Sequence, residues 1–380
     1  MPQTENVDVL IVGSGPAGMS TALHLMDADR NWNGRVVIVD KAIHPRDKLC
    51  GGGITGGGDN ILEGLGFRYD GPQVVVQELE LIYRGHSHAM NADPVFRVVR
   101  RNEFDHWLAR RGQSHGLTLR QGEAVTSVVP KRDRIEVVTE RAVFHAKVVV
   151  AADGSNSTVL KELKWNRMAG QARLLEVLTS ETPDDRAFRD GVAVFDFSQA
   201  GPWLQGYYWE FPSLIDGQAF LNRGVFDSRV QTNRPRAALK QVLTESLTNR
   251  GRDLADFPIK GHPIRRFRSD SPVSAPRILL AGDSAGVDPL LGEGISYALG
   301  YGQVAAEAIV DAFARDDLSF GSYADRIQAH PLLSGLKTRV AIAKLIYWPK
   351  LIWQQELAWR FSSMILGGFQ RYRQGFGTRP

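Results

Sequence analysis

The chain has 380 residues, of which 43% are apolar and 23% charged, the balance of an ordinary globular protein built from two or three packed regions. A net charge of +4 gives no basis for a nucleic-acid partner. One cysteine, Cys50, excludes an intramolecular disulfide framework and a cysteine-cluster metal site, and makes a reducing, cytoplasmic compartment the expectation.

A short polar run leads directly into the first strand, so no signal peptide is expected. No stretch approaches the length of apolar residues that spans a bilayer. Val7 to Val12 is a continuous apolar run of the kind that forms a buried parallel strand. Gly13-Ser14-Gly15-Pro16-Ala17-Gly18 follows, then a helical stretch to about Asp27 and a second buried strand from Arg35 to Val39, ending at Asp40. This is a βαβ unit. The glycine-dense stretch from Cys50 through Gly51, Gly52 and Gly53 to Gly58 reads as irregular and suited to close approach of a flat ligand. Next come a helix over Glu103 to Arg110 and strands around Ala124–Val129, Arg134–Val138 and Lys147–Ala151, the last ending in Asp153-Gly154. Gln171 to Pro263 reads as an inserted β-rich region, helical only over Arg236–Leu247. A strand at Ile278–Leu280 and a helix from about Gly294 to Ala314 restart the first pattern, and the last stretch reads as helical.

The glycine fingerprint carries the first chemistry. Gly13 permits the tight strand-to-helix turn, Gly15 admits a pyrophosphate to the backbone, and Gly18 lets helix and strand pack closely. The free N–H groups of the helix N-terminus favour the anion. Asp40 ends the second strand, where a carboxylate accepts hydrogen bonds from ribose hydroxyls. This unit alone fits FAD or NAD.

Arg277–Leu299, RILLAGDSAGVDPLLGEGISYAL, resembles the second FAD-contacting motif of the p-hydroxybenzoate hydroxylase-like flavoproteins. The resemblance implies that Asp283 bonds the ribityl chain, and that Pro289, Gly292 and Gly294 bring backbone and a helix N-terminus, opened by Ile295, near the isoalloxazine. A helix dipole there stabilises an anionic reduced flavin. Asp153-Gly154 resembles the Asp-Gly motif of the same superfamily, and Arg101 its arginine before a Phe-Asp pair. Pro16, Ala17, Lys41, Arg46, Cys50, Gly51, Gly52 and Val125 complete the implied FAD contacts.

Two segments are similar to the geranylgeranyl reductase family: Lys48-Leu49-Cys50-Gly51-Gly52-Gly53, and Tyr207-Tyr208-Trp209-Glu210-Phe211-Pro212. In a strand Tyr207, Trp209 and Phe211 share one face, an aromatic wall for an apolar substrate. The family motif continues with Gly-x-Gly sooner after the hexad; here Gly224-Val225-Phe226 comes later, with a phenylalanine in the second glycine's place. The hexad also resembles a flavin-dependent halogenase motif, for which Lys48 is the only loop lysine available.

These readings imply an α/β protein with a discontinuous Rossmann-type FAD-binding domain (1–70, 95–165 and 264–315), an inserted β-rich substrate domain (71–94 and 166–263) and a C-terminal helical region (316–380). The resemblance implies hydride transfer from flavin N5 to a C=C bond of an isoprenoid or similar apolar substrate, with Cys50 or solvent as proton donor. The alternatives are a monooxygenase or halogenase, and a flavin-binding protein that docks a partner. NAD(P)H or a separate reductase would supply electrons. His44, His86, His88 and His262 lack metal-ligand spacing.

From Pro331 to Pro380, eight basic residues oppose Glu356, 8 − 1 = +7, which leaves 4 − 7 = −3 on the rest of the chain. Interleaved Tyr347, Trp348, Trp353, Trp359, Phe361, Phe369 and Tyr372 suit either a helix on an anionic membrane surface or a lid over the substrate cavity.

Overall fold

The computed structural model describes residues 3–165, 170–201 and 203–347; the tail from Trp348 onward, with most of its aromatic and basic residues, lies outside them. The chain opens with β1 (Gln3–Val12), α1 (Pro16–Ala28) and β2 (Val36–Asp40), then β3 (Gly53–Thr55), α2 (Gly56–Gly64) and the hairpin β4 (Gln73–Tyr83)–β5 (His86–Val99). Next are α3 (Arg101–Ser114), β6 (Thr118–Gln121), β7 (Val125–Pro130), β8 (Ile135–Thr139), β9 (Ala142–Ala151) and α4 (Thr158–Glu162). The middle holds β10 (Gly170–Ser180), α5 (Arg186–Arg189), β11 (Val192–Asp196), β12 (Gly206–Ile215), β13 (Gln218–Asp227), α6 (Leu239–Thr248) and β14 (Lys260–Arg266). β15 (Ser274–Ala275), β16 (Ile278–Leu280), α7 (Ile295–Arg315), α8 (Tyr323–Ala329) and α9 (Gly335–Ile346) follow.

Two sheets result. The first has the order β15-β16-β9-β1-β2-β6, with the β7–β8 hairpin against the opening half of β9. β1 lies parallel between β2 and β9, which is why Val9, Leu10 and Ile11 are all completely buried: a central parallel strand has no solvent face. α1 and α7 pack together, and Ser20 Oγ donates to Leu299 O at 2.7 Å. The second sheet has the order β14-β10-β13-β12-β11-β4-β5-β3 and is mostly antiparallel. The architecture is α/β, with a Rossmann-type first sheet, a β-rich second sheet and closing helices.

The glycine-dense stretch differs from expectation. Gly53–Thr55 pairs with β5 in the second sheet, and Gly56 to Gly58 form the first turn of α2. Glycine disfavours helix by about 1 kcal/mol per residue, and tertiary packing overrides that here. A Cβ on Gly58 would stand 2.8 Å from Ser296 Oγ, and one on Gly57 2.9 Å from a Leu332 methyl. α2 lies this close to its neighbours only because those positions carry no side chain.

The described end of the chain is anchored. Arg339 of α9 pairs with Asp288 at 2.8 Å, and the Tyr347 hydroxyl donates to Leu290 O at 3.0 Å. No helix among the described residues is long and apolar enough to cross a membrane.

Candidate active site

The ends of β1 and β2, the Cys50 loop, the start of α3 and the turn before α7 face β10 and β14 across a cleft of about 530 Å³. At its floor Gly13 has φ +105°, and a Cβ there would fall 2.4 Å from Ala152 O, so only glycine closes this turn. Gly18 is buried against β1, with Gly13 O 1.9 Å from the place of its missing Cβ. Gly15, Pro16 and Ala17 are exposed to the cleft at the N-terminus of α1.

Above that N-terminus stand two guanidiniums. Arg101 pairs with Asp105 through two hydrogen bonds of 2.8 and 2.7 Å, and Arg46 reaches the same carboxylate at 3.0 Å. Burial would raise the Asp105 carboxyl, but the two arginines hold it below the usual carboxylate range. Two cations share one anion, so one positive charge remains uncompensated beside the helix N-terminus. Both Nη2 atoms lie 3.6–3.9 Å from where a Gly15 Cβ would be. Two guanidiniums beside a helix N-terminus make a place that favours an anion.

Asp40 accepts from Ser14 N at 2.7 Å, Ser14 Oγ at 2.6 Å and Ala42 N at 2.8 Å, which fixes its carboxylate at the cleft edge with Lys41 and Val125 nearby. Asp153 accepts from Thr158 N at 2.7 Å and Val159 N at 3.2 Å through one oxygen; the other is buried with no hydrogen-bond partner. Asp283 receives Lys48 Nζ at 3.3 Å and Ser155 Oγ at 3.2 Å. Burial would raise its carboxyl, and Lys48 and Arg101 pull it down instead. Gly154, Gly292, Gly294 and Ile295 complete this wall, and Cys50 and Gly51 the opposite one.

The aromatic face meets the same place from behind. Tyr207, Trp209 and Phe211 lie 4, 4 and 8% exposed in a closed cluster with Phe96, Phe195, Phe197 and Phe226, and do not line the cleft. They touch its boundary at two glycines. A Cβ on Gly51 would stand 2.9 Å from the Phe211 ring, and one on Gly292 3.0 Å from the Phe226 ring. The Tyr207 hydroxyl donates to Leu291 O. Gly52 and Pro289 also lie behind the wall: Gly52 is pressed against Val99 O, and Pro289 O accepts from Ser228.

Several site residues carry no local signal in the sequence. Asn222, fully buried on β13, accepts from Trp209 Nε1 at 2.8 Å and donates to Cys50 O at 3.2 Å, tying the loop to the aromatic face. His262 and Leu174 line the cleft from β14 and β10. Glu293 sits between the two named glycines and accepts from Thr55 Oγ1 at 2.6 Å. Burial raises its carboxyl against the opposing pull of Thr55 and Arg339. Among the described residues no group of three acidic, His or Cys side chains is placed to hold a metal ion.

A profile of the FAD binding domain matches residues 6–300. The chain belongs to the FAD binding domain family. This family member is 28% identical over 347 residues to the menaquinone reductase of Mycolicibacterium smegmatis, covering 81% of this chain and 78% of that one. It is 27% identical over 347 residues to digeranylgeranylglycerophospholipid reductase 2 of Methanopyrus kandleri, covering 84% and 81%. Its fold superposes with a TM-score of 0.75 on a geranylgeranyl bacteriochlorophyll reductase-like protein of Thermoplasma acidophilum, at 20% identity over 93% of this chain and 91% of that one. The protein is an FAD-dependent oxidoreductase.

Proposed function

We propose that this flavoprotein reduces carbon–carbon double bonds of an apolar, prenyl-type substrate. The observation that carries the proposal is the contact of one aromatic sheet face with both glycine segments of the cleft, Gly51 on Phe211 and Gly292 on Phe226. Any substrate held at these two glycine segments is backed by that face at the edge of the cofactor cleft. The reductase names of the two sequence relatives support the same reading.

Bound and reduced FAD supplies hydride. The chain's own residues do the rest. Arg46, Arg101, Gly13 and Gly15 would hold the pyrophosphate, Asp40 the ribose and Asp283 the ribityl chain, with Pro16, Ala17, Lys41, Val125, Asp153 and Gly154 around them. Gly292, Gly294 and the N-terminus of α7 would face the ring system. Two side chains at that end are Cys50, whose sulfur accepts from Gly52 N at 3.4 Å, and Glu293, whose carboxyl burial raises. The closed cluster of Tyr207, Trp209 and Phe211 behind the cleft would keep water from the reacting carbon on that side. Halogenation lacks such support, because Lys48 is turned to Asp283 on the cofactor side.

Reducing the holoenzyme without oxygen and adding geranylgeranyl compounds should give products that gain a pair of hydrogens per double bond. Oxygen-dependent gain of an oxygen or halogen atom, with no anaerobic saturation, would falsify the reading. Anaerobic titration with NADPH, followed by bleaching of the flavin absorbance, tells direct reduction from delivery by a separate reductase. We further propose peripheral contact with an anionic membrane through the C-terminal segment, which salt-sensitive co-sedimentation with vesicles tests.

A further inference from the structure

Phe226 occupies the position where the reductase motif has its second glycine, and its surroundings give that departure a consequence. On the second sheet it pairs with Leu174 of β10 on one side and Tyr207 of β12 on the other; Leu174 in turn pairs with His262 of β14. Directly paired residues share a face, so His262, Leu174, Phe226 and Tyr207 form one row across four strands. The first two line the cleft. Tyr207 belongs to the closed aromatic cluster. Phe226 is therefore the point at which the floor of the cleft stops being accessible. Its ring is 5.5 Å from that of Tyr207, is wedged against the Gly292 turn, and is 2% exposed. Gly224, two residues earlier, opens no route past it, since Trp209 lies flat on that position, 2.3 Å from where a Cβ would be.

We infer that Phe226 is a depth stop: it ends the apolar path that leads from the cleft into the second sheet, and so limits how much of an alkyl or prenyl chain enters. A phenyl ring fills about the space of one isoprene unit, so its removal in Phe226→Ala admits about one unit more. The prenyl identity of the chain rests on the reductase reading; the stop itself does not.

The test is a binding ladder of linear alcohols of rising length on the oxidised holoenzyme, read by perturbation of the flavin spectrum. In the wild type, affinity should cease to rise beyond a medium length. In Phe226→Ala it should continue to rise, with the longest alcohols bound at least about tenfold tighter. Phe226→Leu, which keeps more of the packing, should extend the ladder by a smaller step and decides the matter if Phe226→Ala does not fold. Ladders that superimpose on the wild type, in variants with normal FAD content and melting temperature, overturn the inference. With geranylgeranyl compounds, Phe226→Ala should saturate more double bonds per chain than the wild type. An extended alcohol ladder without saturation of any prenyl chain by either protein overturns the reductase reading and supports the stop.

Discussion

Asp105 is completely buried and serves two guanidiniums, so its loss would leave Arg101 and Arg46 facing each other without a counter-ion. Breaking a buried pair in this way costs about 3–5 kcal/mol. Urea unfolding of Asp105→Asn should show a loss of that order, with FAD added or not. The pH dependence has a definite sign. The folded carboxyl lies below its unfolded value, so the stability it contributes is present above the ordinary carboxylate pKa of about 4 and is lost as pH falls through the folded value. Wild-type protein should therefore lose stability on acidification, and Asp105→Asn should lack this part of the slope. At this scale the sequence is informative where backbone geometry constrains residue type. Gly13, Gly15, Asp40 and Asp283 stand in a fingerprint because turns and strand ends demand them. Glu293 does not, although it lies between two named glycines, because an acidic residue in a turn reads as solvated until Thr55 and α9 are seen to cover it. Asn222, Leu174 and His262 reach the site only through strand pairing, which no local pattern records.

Among the elements, the β12–β13 pair shows how an aromatic stripe is accommodated. Trp209 crosses to its partner strand and lies over Gly224, whose absent Cβ would also meet Leu175 O at 2.4 Å. That second neighbour is backbone and cannot rotate away. Gly224→Ala should thus lower stability by about 1–3 kcal/mol, the cost of overpacking a close contact. A depressed melting temperature with altered Trp near-ultraviolet dichroism would check it; an unchanged melting temperature would show that the strands yield. The alternation of Tyr207, Trp209 and Phe211 was readable because strand period places them together. Their closure into a packed cluster was not, since Phe96 comes from β5, Phe195 from β11 and Phe197 from just beyond it. The start of α2 was unreadable for the opposite reason, since local propensity opposes the helix that tertiary contacts make.

Over the whole molecule, charge is divided between a basic C-terminal stretch of +7 and a remainder of −3. The described part of that stretch, α9, keeps Leu345 69% and Ile342 38% exposed next to Lys344. Apolar residues beside cations match an interface of anionic headgroups, at about 1 kcal/mol for each basic residue near the surface. Vesicles containing anionic lipid should sediment the protein at low salt and release much of it as ionic strength shortens the screening length. Equal binding to neutral vesicles would mean that charge is irrelevant. The βαβ unit was legible because buried parallel strands leave continuous apolar runs, whereas the mostly antiparallel second sheet was legible only as an inserted β-rich region.

The central place of β1 has a consequence for synthesis. It is made before the other described strands, yet its neighbour β9 and the next strand outward, β16, end at Ala151 and Leu280. At translation rates of 5–20 residues per second, the ribosome takes roughly 15–50 s to travel from the first strand to the last of these. For most of that interval an apolar segment with no complete sheet around it is outside the ribosome tunnel. Newly made chains therefore pass through a long window of vulnerability to misassembly, and the demand for chaperone shielding is written into the order of the strands.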